Sequence, residues 1–136
     1  MIRYSTDVDA LDVTQLDRPF FVGWPDPPDP ETHLRMLRGA RHAVVALDGD
    51  AVVGFVTAIG DGVLAAFIPL LEVTPGHHGR GIGTELVRRI LDEVGPLYAV
   101  DAVCDQDLVG FYERLGFRGG TAVMRRDYEL QAGRTD

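Results

Sequence analysis

Residues 70–85 read LLEVTPGHHGRGIGTE: an apolar strand-like run, glycines at positions 79, 81 and 83, then the opening of a helix. No other segment constrains the fold as much. Glycines let a backbone turn sharply and approach a ligand closely, and the helix that follows presents unpaired N–H groups at the positive end of its dipole. A strand feeding such a loop and helix predicts an anion cradle suited to a pyrophosphate. Two common phosphate cradles are excluded by residue type. All 13 basic residues are arginine, so a Gly-Lys-Ser/Thr loop is absent. The dinucleotide pattern GxGxxG fails too, because counting from Gly79 or Gly81 its third glycine is missing.

Around this segment the periodicities predict an α+β order. The run GWPDPPDP, residues 23–30, has four prolines and reads as a stiff extended loop. Residues 31–38 read as a short helix with Leu34, Leu37 and Met36 turned inward. Two valine-rich strands, 42–48 and 51–59, flank an Asp48-Gly49-Asp50 hairpin turn. Gly60-Asp61-Gly62 makes a second turn before a long apolar run, 63–73. Pro69 lies inside that run and cannot donate to a ladder, so a bulge or a local loss of pairing is expected there. The helix predicted over 83–94 buries Leu86, Val87, Ile90, Leu91 and Val94. It carries opposite charges four apart at Glu85–Arg89, Arg88–Asp92 and Arg89–Glu93, and Gly95-Pro96 ends it. A strand over 97–103, a helix over 106–115 closed by Gly116, and a final strand over 121–128 complete one mixed sheet flanked by helices. The strand–helix–strand step from Val63 to Val103 predicts a parallel pair.

At 136 residues the chain has the size of one domain, read as an N-terminal helix-and-loop segment over 1–41 and a core over 42–128. A hydrophobic content of 46% with 25% charged residues excludes disorder and coiled coil. No apolar run reaches the ~20 residues that span a bilayer, and acids in MIRYSTDVD stand where an export signal needs basic and apolar residues. One cysteine, Cys104, permits neither an internal disulfide nor a cysteine-cluster zinc site, so a reducing cytoplasm is expected. A net charge of −8 argues against nucleic acid held on a general basic surface. Up to Glu31 there are seven acids against Arg3 and Arg18, a net −5 that attracts a cationic substrate or simply solvates a surface.

The pattern V-x-P-x-x-H-G-x-G-x-G, Val73 to Gly83, resembles the coenzyme-A signature of the GNAT N-acetyltransferase superfamily, with His78 where arginine or glutamine usually stands. Downstream, FYERLGF at 111–117 resembles the second GNAT signature. The likeness extends over about 42–128. It implies the GNAT fold, with splayed parallel strands forming an acetyl-CoA cleft, and acetyl transfer from acetyl-CoA to a primary amine in a ternary complex. A small-molecule amine is the first expectation for the acceptor, and a protein N-terminus or lysine the alternative. A non-catalytic acyl-CoA sensor is the reading from another class. Neither metal nor nucleic acid is required, and a homodimer is left open.

The same resemblance implies site residues. The loop amides of Gly79, Gly81, Gly83 and Thr84, with Arg80 and Ile82 between them, hold the pyrophosphate, and the backbone of Leu71 and Val73 pairs with the pantetheine arm. Tyr112 protonates the departing thiolate. From the residues themselves, Leu108, Phe111, Tyr112 and Leu115 also form a stripe at helical spacing, which is usually core. Asp105 is a helix N-cap with a secondary contact to coenzyme A. Gly110 suggests a close backbone approach by the cofactor. Glu72 is the only acid in the strand beside the thioester, and alternation puts it opposite Leu71 and Val73 unless the bulge turns it; it serves as general base unless a water relay or uptake of the minor free amine takes its place. His78 contacts phosphate near the helix N-terminus. His77 and His78 point apart and suit no metal pair, while His33 and His42 read as surface or sheet-edge residues. Cys104 has no nearby histidine in sequence and reads as a packed residue rather than a nucleophile. Phe20, Phe21 and Trp24 either wall the acceptor pocket or plug the core.

Overall fold

A computed structural model describes residues 1–135. Six strands, β1 (Ile2–Ser5), β2 (His42–Asp48), β3 (Ala51–Gly60), β4 (Ala65–Ile68), β5 (Leu71–Val73) and β6 (Ala99–Ala102), form one mixed sheet. Helix α1 (Pro30–Gly39) covers one face, and α2 (Ile82–Val94) packs across β2 and β3 on the other. A one-turn helix, α3 (Val109–Glu113), follows β6. The predicted strands 42–48 and 51–59 and both long helices are present within a residue or two. The helix expected over 106–115 is a 3₁₀ turn at Gln106–Leu108 continued by α3.

The sheet runs β1-β2-β3-β4-β6, and β5 also pairs with β3. Thus β4 and β5 are two parts of one strand beside β3. Their registers differ: Ile59 faces Phe67, whereas Val56 faces Leu71. Two β3 residues lie between those pairs and three on the other strand, so one extra residue is inserted at Ile68-Pro69-Leu70. This is the bulge that Pro69 demands. Across it, Thr57 N–H still reaches Leu70 C=O at 3.1 Å. One extra residue exchanges the faces of everything after it. Opposite Phe55 stands Glu72 rather than Leu71, so Glu72 joins the α1 face while Leu71 and Val73 pack on the α2 side.

The α1 face holds Leu11, Leu16, Phe21, Leu37, Val45, Leu47, Val52 and Phe55; the α2 face holds Val44, Val56, Ile68, Ile82, Leu86 and Ile90. Gly54 lets α2 lie close to β3, since a Cβ there would stand 3.1 Å from Leu86 and 3.3 Å from Ile82. α1 starts with Pro30 after an Asp29 cap, whose carboxylate accepts the Thr32 N–H at 2.8 Å. Of the three charge pairs expected on α2, Glu85–Arg89 closes at 2.8 Å.

Three expectations are corrected. His33 is not a surface residue: it is 1% exposed, with its ring centroid 4.4 Å from that of Phe55 and about as near Phe20 and Phe21. It occupies a core position of α1 beside Leu37. Leu108 is exposed, so the stripe it was assigned to reaches the core only at Tyr112. The final strand is also absent: residues 121–127 pair with nothing among the described residues and are exposed throughout. Beyond them the chain is drawn to α1 and the loop before it: Gln131 accepts the Asp26 N–H, and Arg35 donates to the Arg134 carbonyl.

Burial without a hydrogen bond to Nε2 lowers the His33 pKa from 6.5 to about 4. A depressed histidine contributes its full share of stability above about pH 6.5 and loses it as pH falls through about 4. At 1.36 kcal/mol per unit this is about 3 kcal/mol. Urea unfolding at about pH 7 and about pH 4.5 is expected to show a drop in stability for the wild type that is clearly smaller in His33→Leu.

Candidate active site

The parallel pair β4–β6 runs in register from Ala65 opposite Ala99 to Ile68 opposite Ala102 and then ends. Past the bulge, β5 pairs only with β3, so its other edge is open. In an antiparallel ladder, alternate residues direct both backbone groups toward the neighbour. Leu70 C=O and Thr74 N–H bond to β3, which assigns residues 70, 72 and 74 to that side. Leu71 and Val73 therefore turn their N–H and C=O groups into the gap. Of the two residues expected to meet a pantetheine arm, Leu71 has both backbone groups free and Val73 its N–H, the Val73 C=O being taken by His78.

The strand leads through a 3₁₀ turn, Pro75–His77, to α2. Gly79 and Gly81 have φ of 76° and 79°, a left-handed conformation that suits glycine, and a Cβ on either would meet nothing within 4 Å. Gly81 is the α2 N-cap and has no capping side chain. The first helical bond runs from Glu85 N–H to Gly81 C=O, and none of the backbone N–H groups of residues 79–84 finds an acceptor among the described residues. Six unpaired amides lie beside the positive end of a thirteen-residue helix, an arrangement whose donors and field favour an anion. Ile82 contributes only its amide, its side chain being core, and Arg80 is exposed beside the loop. Phe111 of α3 lies over the loop, 3.6 Å from where a Gly83 Cβ would stand, so the two signature segments meet.

The histidines divide as expected, with a change of role. His77 lies between Thr74 Oγ1 at 3.2 Å and Asp48 Oδ2 at 3.0 Å, fastening the turn to the β2–β3 hairpin. His78 Nε2 donates to Val73 C=O at 2.7 Å. Its ring thus closes part of the open β5 edge instead of reaching toward the phosphate cradle. No group of three or more metal-ligating side chains is assembled among the described residues.

On the α1 side, Glu72 Oε1 accepts the Phe21 N–H at 2.8 Å, leaving Oε2 free. Burial pushes the Glu72 carboxyl above its ordinary range, and the Phe21 bond offsets part of that rise. Phe21 holds a φ of 58°, which is uncommon for a bulky residue and marks a strained turn over Glu72. Of the aromatic loop, Phe21 plugs the core, while Phe20 and Trp24 are partly exposed at its margin. The Phe21 bond lay outside the reach of the sequence reading, because a backbone contact across 51 residues has no local signal.

Tyr112 stands elsewhere. It lines a groove of about 680 Å³ with Ala102, Val103, Cys104 and Phe117, and no residue of β5 lines that groove. Phe111 and Phe117 hold its ring edge-on at 5.1 and 5.3 Å. Burial, followed by the neighbouring Cys104, pushes its phenol up to about 12, so it stays protonated at neutral pH. The Cys104 thiol is raised by burial and then by Asp105 and Asp107, which fits an inert thiol better than a nucleophile. Asp105 occupies the N-cap position, but its carboxylate makes no cap bond; its carbonyl accepts from Leu108 instead. Around Gly110 the nearest atom to an added Cβ is Arg114 at 3.8 Å, so protein packing does not require this glycine.

Residues 10–117 match the family model described as Acetyltransferase (GNAT) family. N-alpha-acetyltransferase RimI of Mycobacterium tuberculosis is 30% identical over 131 residues, covering 92% of this chain and 82% of that protein. The crystal structure of a Deinococcus radiodurans protein assigned as an acetyltransferase superposes with a TM-score of 0.95 at 48% identity, over 99% of this chain and 94% of the other. A GNAT family protein from Streptococcus pneumoniae gives a TM-score of 0.73 at 28% identity, over 93% and 100%.

Gly81→Val is expected to strain the left-handed N-cap by about 1–2 kcal/mol and to place methyl groups in the cradle, weakening coenzyme A at least about tenfold by calorimetry. Gly95, with φ of 77° at the other end of α2, supplies the control. Gly95→Val is expected to destabilise comparably and to leave the affinity unchanged.

Proposed function

Because this chain belongs to the acetyltransferase (GNAT) family, we propose that it moves an acetyl group from acetyl-CoA directly to a small primary amine held on the α1 face of the sheet. It is an acetyl-CoA-dependent acetyltransferase. The observation that carries the cofactor reading is the run of six unpaired amides at the start of α2, beside a strand edge where both backbone groups of Leu71 and the N–H of Val73 are free. That combination suits a ligand with a diphosphate at one end and an amide-bearing arm. The thioester, when bound, supplies an acyl carbon with a good leaving group.

The residues then have distinct tasks. A free amine of pKa about 10 is mostly protonated at neutral pH and must lose a proton before it attacks. Glu72 takes that proton. Its raised pKa makes it a stronger base than an ordinary carboxylate, and the Phe21 bond orients it through Oε1. As the C–N bond forms and the C–S bond breaks, Tyr112 donates a proton to the departing thiolate. The net −5 charge of the first 31 residues favours approach of a cationic amine. A small acceptor is supported by the cover over Glu72, where the Phe21 backbone bonds the carboxylate and the Phe21 ring packs against Trp24. The likeness to RimI favours a second reading, acetylation of a polypeptide N-terminus. Among the described residues no helix is long and apolar enough to cross a membrane, and a reducing compartment such as the cytoplasm suits the lone Cys104.

Thiol release from acetyl-CoA, measured against small amines and peptides with free N-termini, separates these readings. Faster release with small amines is expected. Release with peptides alone would replace the acceptor by a polypeptide, and binding without any release would leave a sensor. In the active assay, Tyr112→Phe is expected to lower kcat by about 10²-fold with coenzyme A affinity unchanged. Glu72→Gln is expected to remove the acidic limb of the pH profile of kcat/KM. A carboxyl with a raised folded pKa opposes folding once pH passes that value, so this variant is also expected to melt no lower than the wild type at neutral pH.

A further inference from the structure

The unpaired amides of residues 79–84 fall into two groups that are held in different ways. Residues 82–84 belong to α2, and Ile82, at 2% exposed, anchors them in the core. Residues 79–81 precede the helix. Gly79 and Gly81 stand in left-handed turns, with no atom within 4 Å of where a Cβ would be, so packing does not hold them. Glycine loses more freedom on ordering than any other residue, and a ligand that must order its own site binds more weakly. An anion contacted by both groups of amides therefore depends on whatever orders 79–81 in advance.

Among the described residues, one hydrogen bond ties residues 75–81 to an element outside 73–85: His77 Nε2 lies 3.0 Å from Asp48 Oδ2 at the end of β2. On the other side of the ring, Nδ1 lies 3.2 Å from Thr74 Oγ1. A carboxylate only accepts, so Nε2 carries the proton; Nδ1 of the neutral ring then accepts, and the Thr74 hydroxyl donates. The His77 bond holds the Asp48 carboxyl below its ordinary range, with help from the charges of the amino terminus and Arg80. Both ends of this chain are fixed in the sheet. Thr74 is buried and its N–H bonds to Val53 C=O at 2.8 Å, while Asp48 stands opposite Ile2 on one side and Ala51 on the other. The hairpin beyond Asp48 is held in turn by Gln15, whose Nε2 donates to Asp50 C=O at 2.8 Å.

We propose that the Thr74–His77–Asp48 chain orders residues 79–81 before coenzyme A arrives, which makes His77 and Asp48 positioning residues for the cofactor, a role that rests on reading residues 79–84 as the coenzyme cradle. His77 stands two residues before Gly79, so fixing its ring at two points fixes the course of the backbone into the glycines. The α2 half of the cradle is rigid through its core side chains. The other half is brought to it by this one histidine. Asp48 also lies in the field of Arg80, so the same carboxylate acts on two residues of the loop. A tie that served stability alone would lower the melting point and leave the affinity of the folded protein as it is.

Backbone nitrogen relaxation of the full chain without ligand, and calorimetric titration with coenzyme A, test this. His77→Phe keeps a ring of similar size and removes both side-chain bonds. Order parameters at residues 78–81 are expected to fall from the rigid value of about 0.85 toward about 0.6. Coenzyme A is expected to bind about tenfold more weakly. The melt stays cooperative, because the His77 side chain is partly exposed. Asp48→Leu is expected to act in the same way. Asp48→Asn keeps an oxygen for the Nε2 proton and is expected to bind within about twofold of the wild type, a rescue that tracks the hydrogen bond. Imidazole nitrogen NMR is expected to find the His77 proton on Nε2. Wild-type affinity in His77→Phe and Asp48→Leu, an asparagine variant as weak as the leucine one, or a proton on Nδ1 would overturn the proposal. Weakened binding with order at 78–81 unchanged would overturn it equally. All these outcomes leave the cofactor reading intact provided that coenzyme A shifts the amides of 79–84 in the wild type. Without those shifts that reading fails, and the role of His77 with it.

Discussion

One extra residue in the strand that contains Pro69 determines most of what this molecule can do. It separates β4 from β5, and its effects are all local consequences of strand geometry. Before it, the strand pairs on both sides, with β3 and with β6; after it, only the β3 side is paired. The unpaired side exposes the backbone of Leu71 and the N–H of Val73, the Val73 carbonyl being covered by His78. The same insertion exchanges the two faces, sending Glu72 to the α1 side and Leu71 and Val73 to the α2 side. Without the bulge, Leu71 would stand opposite Phe55, and the one carboxylate of the strand would be directed into the packing of α2. A proline that cannot donate to a ladder thus separates the edge proposed to meet the cofactor from the face that carries the proposed base, Glu72, within three residues.

What the strand begins, α2 completes. Its thirteen residues supply a dipole whose positive end lies at Gly81, and the absence of a capping side chain leaves six loop amides available to an outside acceptor. The close approach of α2 at Gly54 and the core residues Ile82, Leu86 and Ile90 fix that helix end relative to β5. The glycine loop and the open edge are therefore held by the same core. On the other face the packing is costlier. A neutral, hydrogen-bond-poor His33 is enclosed by three phenylalanines, and Phe21 sits in a strained turn to reach Glu72.

The parts legible in the sequence are those whose cause is local. Apolar periodicity located α1, α2, β2 and β3, and the imino acid at 69 foretold the break in pairing. The glycine spacing foretold the turn conformations at 79 and 81. Alternation alone put Glu72 opposite Leu71 and Val73, and the structure agrees. The parts that were not legible depend on partners far along the chain. His33 looked like a surface residue because its environment comes from Phe20, Phe21 and Phe55 rather than from its helix neighbours. Nothing near His78 announces that its ring would take the Val73 carbonyl. The expected strand at 121–128 has the right residues for a strand, but strand formation needs an edge to pair with, and its C-terminal continuation is committed to α1.

The claim at the centre of this account is that the open β5 edge and the α2 loop together hold coenzyme A. Backbone amide NMR shifts during titration with coenzyme A test it most directly, because the amides themselves are the proposed contacts. The account predicts the largest shifts at Leu71, Val73 and residues 79–84, saturating together, with Phe111 following because it lies over Gly83. Saturable shifts confined to other elements, with residues 79–84 unmoved, would contradict it.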